Sequence, residues 1–96
     1  MSFELVATSH FVGQMKSLDE RQKKLVRSKL ELVERNPFRY KRLHSNKFSR
    51  AFRVGLNIGG KETRLIYYVL GSKIIVAGLL ERAKEYKDLE NILSEI

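Results

Sequence analysis

A chain of 96 residues that is 43% hydrophobic has room for one domain, spanning 1–96, with one modest core. Its composition argues against intrinsic disorder, and the absence of cysteine excludes a disulfide framework, a thiol nucleophile and a thiolate metal site. With a net charge of +8, no apolar run near the roughly 18 residues of a membrane span, and a start (Met1-Ser2-Phe3-Glu4) unlike a signal peptide, the expectation is a cytoplasmic protein with no membrane partner.

In chain order, Phe3 to Ala7 alternates as a short strand. Thr8 or Ser9 caps a short helix with Phe11, Met15 and Leu18 on one face. Asp19, with Gln22 three residues on, is a capping box that opens a longer helix ending at about Arg35, before Asn36-Pro37. Leu25, Val26, Leu30, Leu32 and Val33 form its predicted apolar stripe, and Arg21, Lys23, Lys24, Arg27, Lys29 and Glu31 occupy the other face. Residues 38–50 read as a basic, irregular loop.

The period then changes to two. Ala51 to Leu56 is a strand, Gly59-Gly60 has the composition of a type I′ hairpin turn, and Glu62 to Leu70 is the returning strand. Gly71-Ser72 turns again into a third strand, Ile74 to Leu80, and 81–96 reads as a helical tail with Leu89, Ile92, Leu93 and Ile96 apolar. The expected fold class is α+β: an N-terminal strand, a two-helix hairpin, then a three-stranded antiparallel meander with the helices on one face.

With Gly59-Gly60 as the turn, Val54 faces Leu65 and Phe52 faces Tyr67 on the core side. Gly55 then opposes Arg64 and Arg53 opposes Ile66 on the other side, which makes Arg53 and Arg64 diagonal neighbours with small residues beside them. Two guanidinium groups so placed form a phosphate clamp, or else each pairs with a carboxylate such as Glu62 or Glu81; the pattern leaves both open. The same face is predicted to carry Ile66, Tyr68, Ile75, Ala77 and Leu79, too apolar for solvent, so the tail, a partner or a second copy should cover part of it.

Charge is concentrated. Residues 16–53 hold thirteen Lys/Arg against four acids, whereas the rest of the chain holds six against seven. Such a cluster is the footprint of a polyanion or an acidic protein, with a solvated helix face as the plainer reading. His10 and His44 lie far apart and form no metal motif, and no cofactor motif is present. His10 reads as a surface or cap residue; His44 sits in the basic loop, where phosphate contact or proton transfer is one reading.

Several stretches in order resemble the RelE/ParE toxin superfamily: Asn36-Pro37, Lys41-Arg42-Leu43, Phe52-Arg53-Val54-Gly55, Arg64-Leu65-Ile66-Tyr67, Ile74-Ile75-Val76 and Arg82-Ala83-Lys84-Glu85-Tyr86. The resemblance spans nearly the whole chain, and it implies a RelE-like ribosome-dependent mRNA endoribonuclease held inactive by a cognate antitoxin. The implied reaction is attack of a ribose 2′-hydroxyl on the adjacent phosphate. In it Arg64 binds the scissile phosphate, Arg53 is a second cation, Arg82 a cation or proton donor, and Tyr86 stacks on a base or orients the nucleophile. The basic helix and loop, including Lys41, Arg42, Lys47 and Arg50, would hold ribosomal RNA.

Two positions depart from the pattern. Gly55 replaces a basic residue frequent in active members, and Glu81 stands where many have histidine, either serving as the base or pairing with Arg82. The alternatives implied are a ParE-like inhibitor of a protein such as DNA gyrase, working through its helical hairpin, and a non-catalytic RNA-binding module.

Overall fold

Seven elements follow one another along residues 3–42 and 51–81, the part of the chain that the computed structural model describes. They are β1 (Glu4–Ala7), α1 (Ser9–Lys16), α2 (Glu20–Arg35), β2 (Lys41–Arg42), β3 (Ala51–Ile58), β4 (Lys61–Leu70) and β5 (Lys73–Glu81). The sheet runs β1-β5-β4-β3-β2, with β1 parallel to β5 and the other neighbours antiparallel. This is the expected α+β arrangement, with one addition. Within the stretch expected to be irregular, Lys41 and Arg42 pair with Arg53 and Phe52 and form an edge strand. Of the tail expected over 81–96, Glu81 instead closes β5, and 82–96 lie outside the described residues.

Both helices begin where their caps dictate. Asp19 Oδ1 accepts from Gln22 N at 2.8 Å and Gln22 Oε1 accepts from Asp19 N at 3.1 Å, which satisfies two otherwise orphaned amides of α2. Helix α1 packs against β5 and α2 against β3, so Phe11, Val26 and Val33 enter one core with Phe52, Val54, Leu65, Tyr67, Ile74 and Val76. The buried stripe of α2 is narrower than expected. Val26 and Val33 are fully buried, but Leu25 and Leu32 are 46% and 40% exposed. At 3.6 residues per turn, Leu25 and Leu32 lie roughly a quarter turn off the line through Val26 and Val33.

The β3–β4 hairpin has the expected register at every pair, from Ala51↔Tyr68 to Ile58↔Lys61. Gly59 and Gly60 both take positive φ, 58° and 81°, as a type I′ turn requires, and Asn57 Oδ1 accepts from Gly60 N at 3.0 Å.

Between β4 and β5 the register shifts after Ile66↔Gly78, so that Tyr67 pairs with Val76 and Ala77 is the extra residue of a bulge. Two side chains brace this irregularity. Thr8 Oγ1 accepts from Phe11 N at 3.2 Å and shares its proton between the carbonyls of Val76 (3.1 Å) and Ala77 (2.9 Å). Beyond it, the Gln14 amide imitates a neighbouring strand: Nε2 donates to Leu79 O at 2.8 Å and Oε1 accepts from Leu79 N at 2.7 Å. Thr8 and Gln14 thus satisfy polar groups of β5 past the point where β1 ends.

The bulge reverses the alternation along the last part of β5. Leu79, expected on the Arg64 side, faces the helices in the core, and Leu80 takes its place in a second buried cluster with Ala51, Ile66 and Ala77. That cluster is covered as expected; the tail proposed to cover it is outside the described residues.

Candidate nucleic-acid interface

Strand pairing places three cations on the sheet face away from the helices. Arg53 opposes Ile66 and Gly55 opposes Arg64, so the two arginines are diagonal neighbours, about 7–8 Å apart at that register. Lys41 directly opposes Arg53 from the edge strand and shares its face. Lys41, Arg53 and Arg64 therefore form a slanted row across β2, β3 and β4, spanning about 10 Å at ordinary strand spacing. The alignment of Lys41 with the arginines was not visible in the sequence, because a two-residue strand has no periodicity to read.

Arg53 and Arg64 are half-buried, and neither guanidinium makes an ion pair or hydrogen bond with a described residue. Beside Arg64 a depression of ≈ 330 Å³ is lined by Gly55, Leu56, Asn57, Glu62, Thr63 and Arg64. A Cβ built on Gly55 meets nothing within 4 Å, so the space above this strand pair is open. Glu62 flanks Arg64 on the side away from Arg53. Such a row of cations, unpaired among the described residues and beside a concavity, is chemically suited to the singly charged phosphate of a phosphodiester and to the further negative charge that develops when it is attacked.

Glu81 is not part of this group. Its partner across the ladder is Thr63, a core-side residue, so its carboxylate lies on the helix side of the sheet, 3.7 Å from Lys61 Nζ. The bulge at Ala77 is the physical reason: without it Glu81 would fall on the Arg64 side. The reading in which Glu81 pairs with Arg53 or Arg64 is thereby corrected, since its carboxylate lies on the opposite side of the sheet from both. The Lys61–Glu81 pair lines a separate depression of ≈ 320 Å³ between the helical turn and the β3–β4 turn.

Arg42, grouped with Lys41 in the sequence, points the other way, with Cζ 5.6 Å from the centroid of the Phe52 ring on the core side. Phe52 stacks on Tyr67 at 5.3 Å and meets Phe38 edge-on at 6.0 Å. Tyr67 is a structural pin. Its hydroxyl donates to Pro37 O at 2.6 Å, and burial, with Tyr40 as a smaller contribution, raises its phenol far above the ordinary range. It holds the turn after α2 against β4, and with it the edge strand that carries Lys41.

His10, read as a surface or cap residue, has its Nε2 buried with no hydrogen-bond partner among the described residues. Arg82, Tyr86, Lys47, Arg50 and His44 lie outside the described residues. Among the described residues no three His, Asp or Glu side chains converge as a metal site, and no helix is long and apolar enough to cross a membrane.

No protein-family model and no curated protein matches this sequence. Solved structures do. A free form of the E. coli toxin RelE, with two arginines replaced by alanine, superposes with a TM-score of 0.70 at 16% identity, covering 99% of this chain and 94% of that one. The toxin–antitoxin complex RelBE2 from Mycobacterium tuberculosis gives 0.67 at 17% identity, covering 85% of this chain and 100% of that one. An archaeal RelE–RelB complex from Pyrococcus horikoshii gives 0.56 at 18%, covering 88% and 99%. The chain has the fold of the RelE toxins.

Proposed function

We propose that this chain is the toxin of a type II toxin–antitoxin pair and cleaves mRNA on the ribosome. The observation that carries the reading is the row Lys41, Arg53 and Arg64 on one sheet face, beside a depression at Arg64, within a RelE-type fold that covers 99% of the chain. Neighbours with this fold include complexes of RelE with its antitoxin, and the partners assigned to this chain are a cognate antitoxin, the ribosome and mRNA.

In the proposed reaction a ribose 2′-oxygen attacks the adjacent phosphorus and the bond from phosphorus to the 5′-oxygen breaks. The products are a 2′,3′-cyclic phosphate and a 5′-hydroxyl, and the proton lost by the nucleophile is balanced by the one gained by the leaving oxygen. Arg64 holds the scissile phosphate bidentately, and Arg53 and Lys41 add charge as the pentavalent centre forms. Arg82 and Tyr86 are assigned, from the resemblance, to leaving-group protonation and to stacking or nucleophile orientation. Arginine and tyrosine both hold their protons well above neutral pH and are poor bases there, so rate comes from positioning and charge stabilisation. The reaction needs no cofactor. Lys47 and Arg50 are assigned to sequence-independent contacts with ribosomal RNA.

Primer extension along mRNA on translating ribosomes tests this. Wild-type protein should give discrete stops that Arg64→Ala and Tyr86→Ala both abolish. A fully folded wild type that leaves the mRNA intact would remove the nuclease assignment. The competing reading, a protein-binding inhibitor, draws support from the exposed leucines on α2 and predicts toxicity that survives Arg64→Ala.

A further inference from the structure

Helix α2 has a second ordered stripe, and it faces outward. Arg21, Leu25, Ser28, Leu32 and Arg35 are all exposed and follow one another at spacings of four, three, four and three residues. That is the spacing of a coiled-coil seam, which aligns side chains along one line of a helix. The two leucines are 46% and 40% exposed at its centre. Ser28 between them is small, and its hydroxyl donates back to Lys24 O at 3.0 Å, so it asks nothing of a partner and allows close approach. Arginines close both ends.

Charge around the stripe is predominantly positive. Lys24 and Lys29 flank it, and the acids at its margin are Glu31 and Glu20, the latter 3.5 Å from Lys23, while Glu34 lies toward the far side of the helix. An RNA backbone would use the cations but gain nothing from covering two leucines. A second copy of the chain would bring like charges together at both ends.

We propose that this stripe is a docking surface for an acidic amphipathic helix of a partner protein. The partner's apolar side chains, at the same four–three spacing, close over Leu25, Ser28 and Leu32, and its Asp or Glu residues meet Arg21, Lys24, Lys29 and Arg35. The inference goes beyond the cleavage reading and rests on the toxin–antitoxin reading only for which chain supplies that helix.

The probe is a synthetic three-heptad peptide with leucine along one seam and glutamate on both flanks. A permuted peptide of the same composition and an RNA hairpin serve as comparisons, each titrated with the full-length chain by fluorescence anisotropy. The patterned peptide should bind, and Leu25→Ser/Leu32→Ser should weaken it about tenfold or more, with RNA-hairpin binding and melting temperature unchanged. Ser28→Glu, which places an acid on the seam without emptying it, should weaken the peptide too and guards against a folding defect in the double variant. Equal binding of the permuted peptide, or wild-type affinity in both variants, would overturn the proposal. So would loss of RNA binding in the leucine variant, which would make the stripe an RNA surface, or a leucine-dependent dimer in sedimentation. Cleavage on ribosomes by the leucine variant is measured alongside: it should persist, so failure of the docking surface and failure of the nuclease assignment are read separately.

Discussion

Arg53 and Arg64 reach one face because strand side chains alternate and the Gly59-Gly60 turn fixes which residues pair. Gly55 leaves the space beside them empty, its backbone is not left-handed, and an added Cβ meets no atom within 4 Å. Gly55→Lys should therefore fold, with stability equal to wild type or higher by up to about 1 kcal/mol, as expected when a strand glycine is replaced. It should also extend the cationic row, steepening the salt dependence of RNA-hairpin affinity by about one unit of slope, measured by titration over a salt series. Tyr67 carries a different consequence. Tyr67→Phe leaves the buried Pro37 carbonyl without its donor and should cost about 1–3 kcal/mol in denaturant unfolding at neutral pH. Because the folded phenol is raised above its ordinary 10.0, its contribution is complete below that pH and is lost as pH rises toward the folded value. Wild-type stability should thus fall above pH 10.0 while the Phe variant stays flatter, so that the gap between them narrows.

At the scale of elements, the β5 bulge decides which carboxylates and apolar groups face the candidate site. Thr8 and Gln14, both on or beside α1, hold it, so the first helix sets the register of the last described strand. Gln14→Leu removes both partners of Leu79 and should destabilise the fold by about 1–3 kcal/mol; amide hydrogen exchange at Leu79 should accelerate more than at Leu65 in the sheet centre. The caps, the α2 end and the β3–β4 register were legible in the sequence, because each rests on local chemistry: Asp19 with Gln22, Asn36-Pro37, paired glycines and strict alternation. The bulge was not. Ala77, Gly78, Leu79 and Leu80 are apolar or small at both parities, so alternation there gives no phase, and Leu79 was placed on the wrong side. Nor could a five-residue apolar set on α2 reveal which members the sheet would bury; that depends on how the helix is rotated over β3.

The net +8 charge is concentrated in residues 16–53, which include α2, β2 and the start of β3, and among the described residues two groups of these cations stand on two surfaces. Lys41 and Arg53 join Arg64 on the sheet, whereas Arg21, Lys24, Lys29 and Arg35 surround the leucine stripe of α2. Among the described residues the sheet surface has no exposed large apolar side chain beside its cations and suits phosphate; the helix surface has two and suits protein. Neutralising the sheet row should cost RNA affinity in proportion to the charges removed and should leave peptide affinity on α2 unchanged, a separation that titrations of one variant set can measure.

The most direct test of the central claim is the single-turnover rate of cleavage of one ribosome-bound mRNA by the wild type and by Lys41→Ala, Arg53→Ala and Arg64→Ala. The account predicts cleavage by the wild type, a loss of about 10²–10³-fold for Arg64→Ala, and smaller losses for Arg53→Ala and Lys41→Ala. Each variant should melt like the wild type, since none of the three side chains lies in the buried core. Wild-type rates in all three variants, or no cleavage by folded wild-type protein on the ribosome, would contradict it.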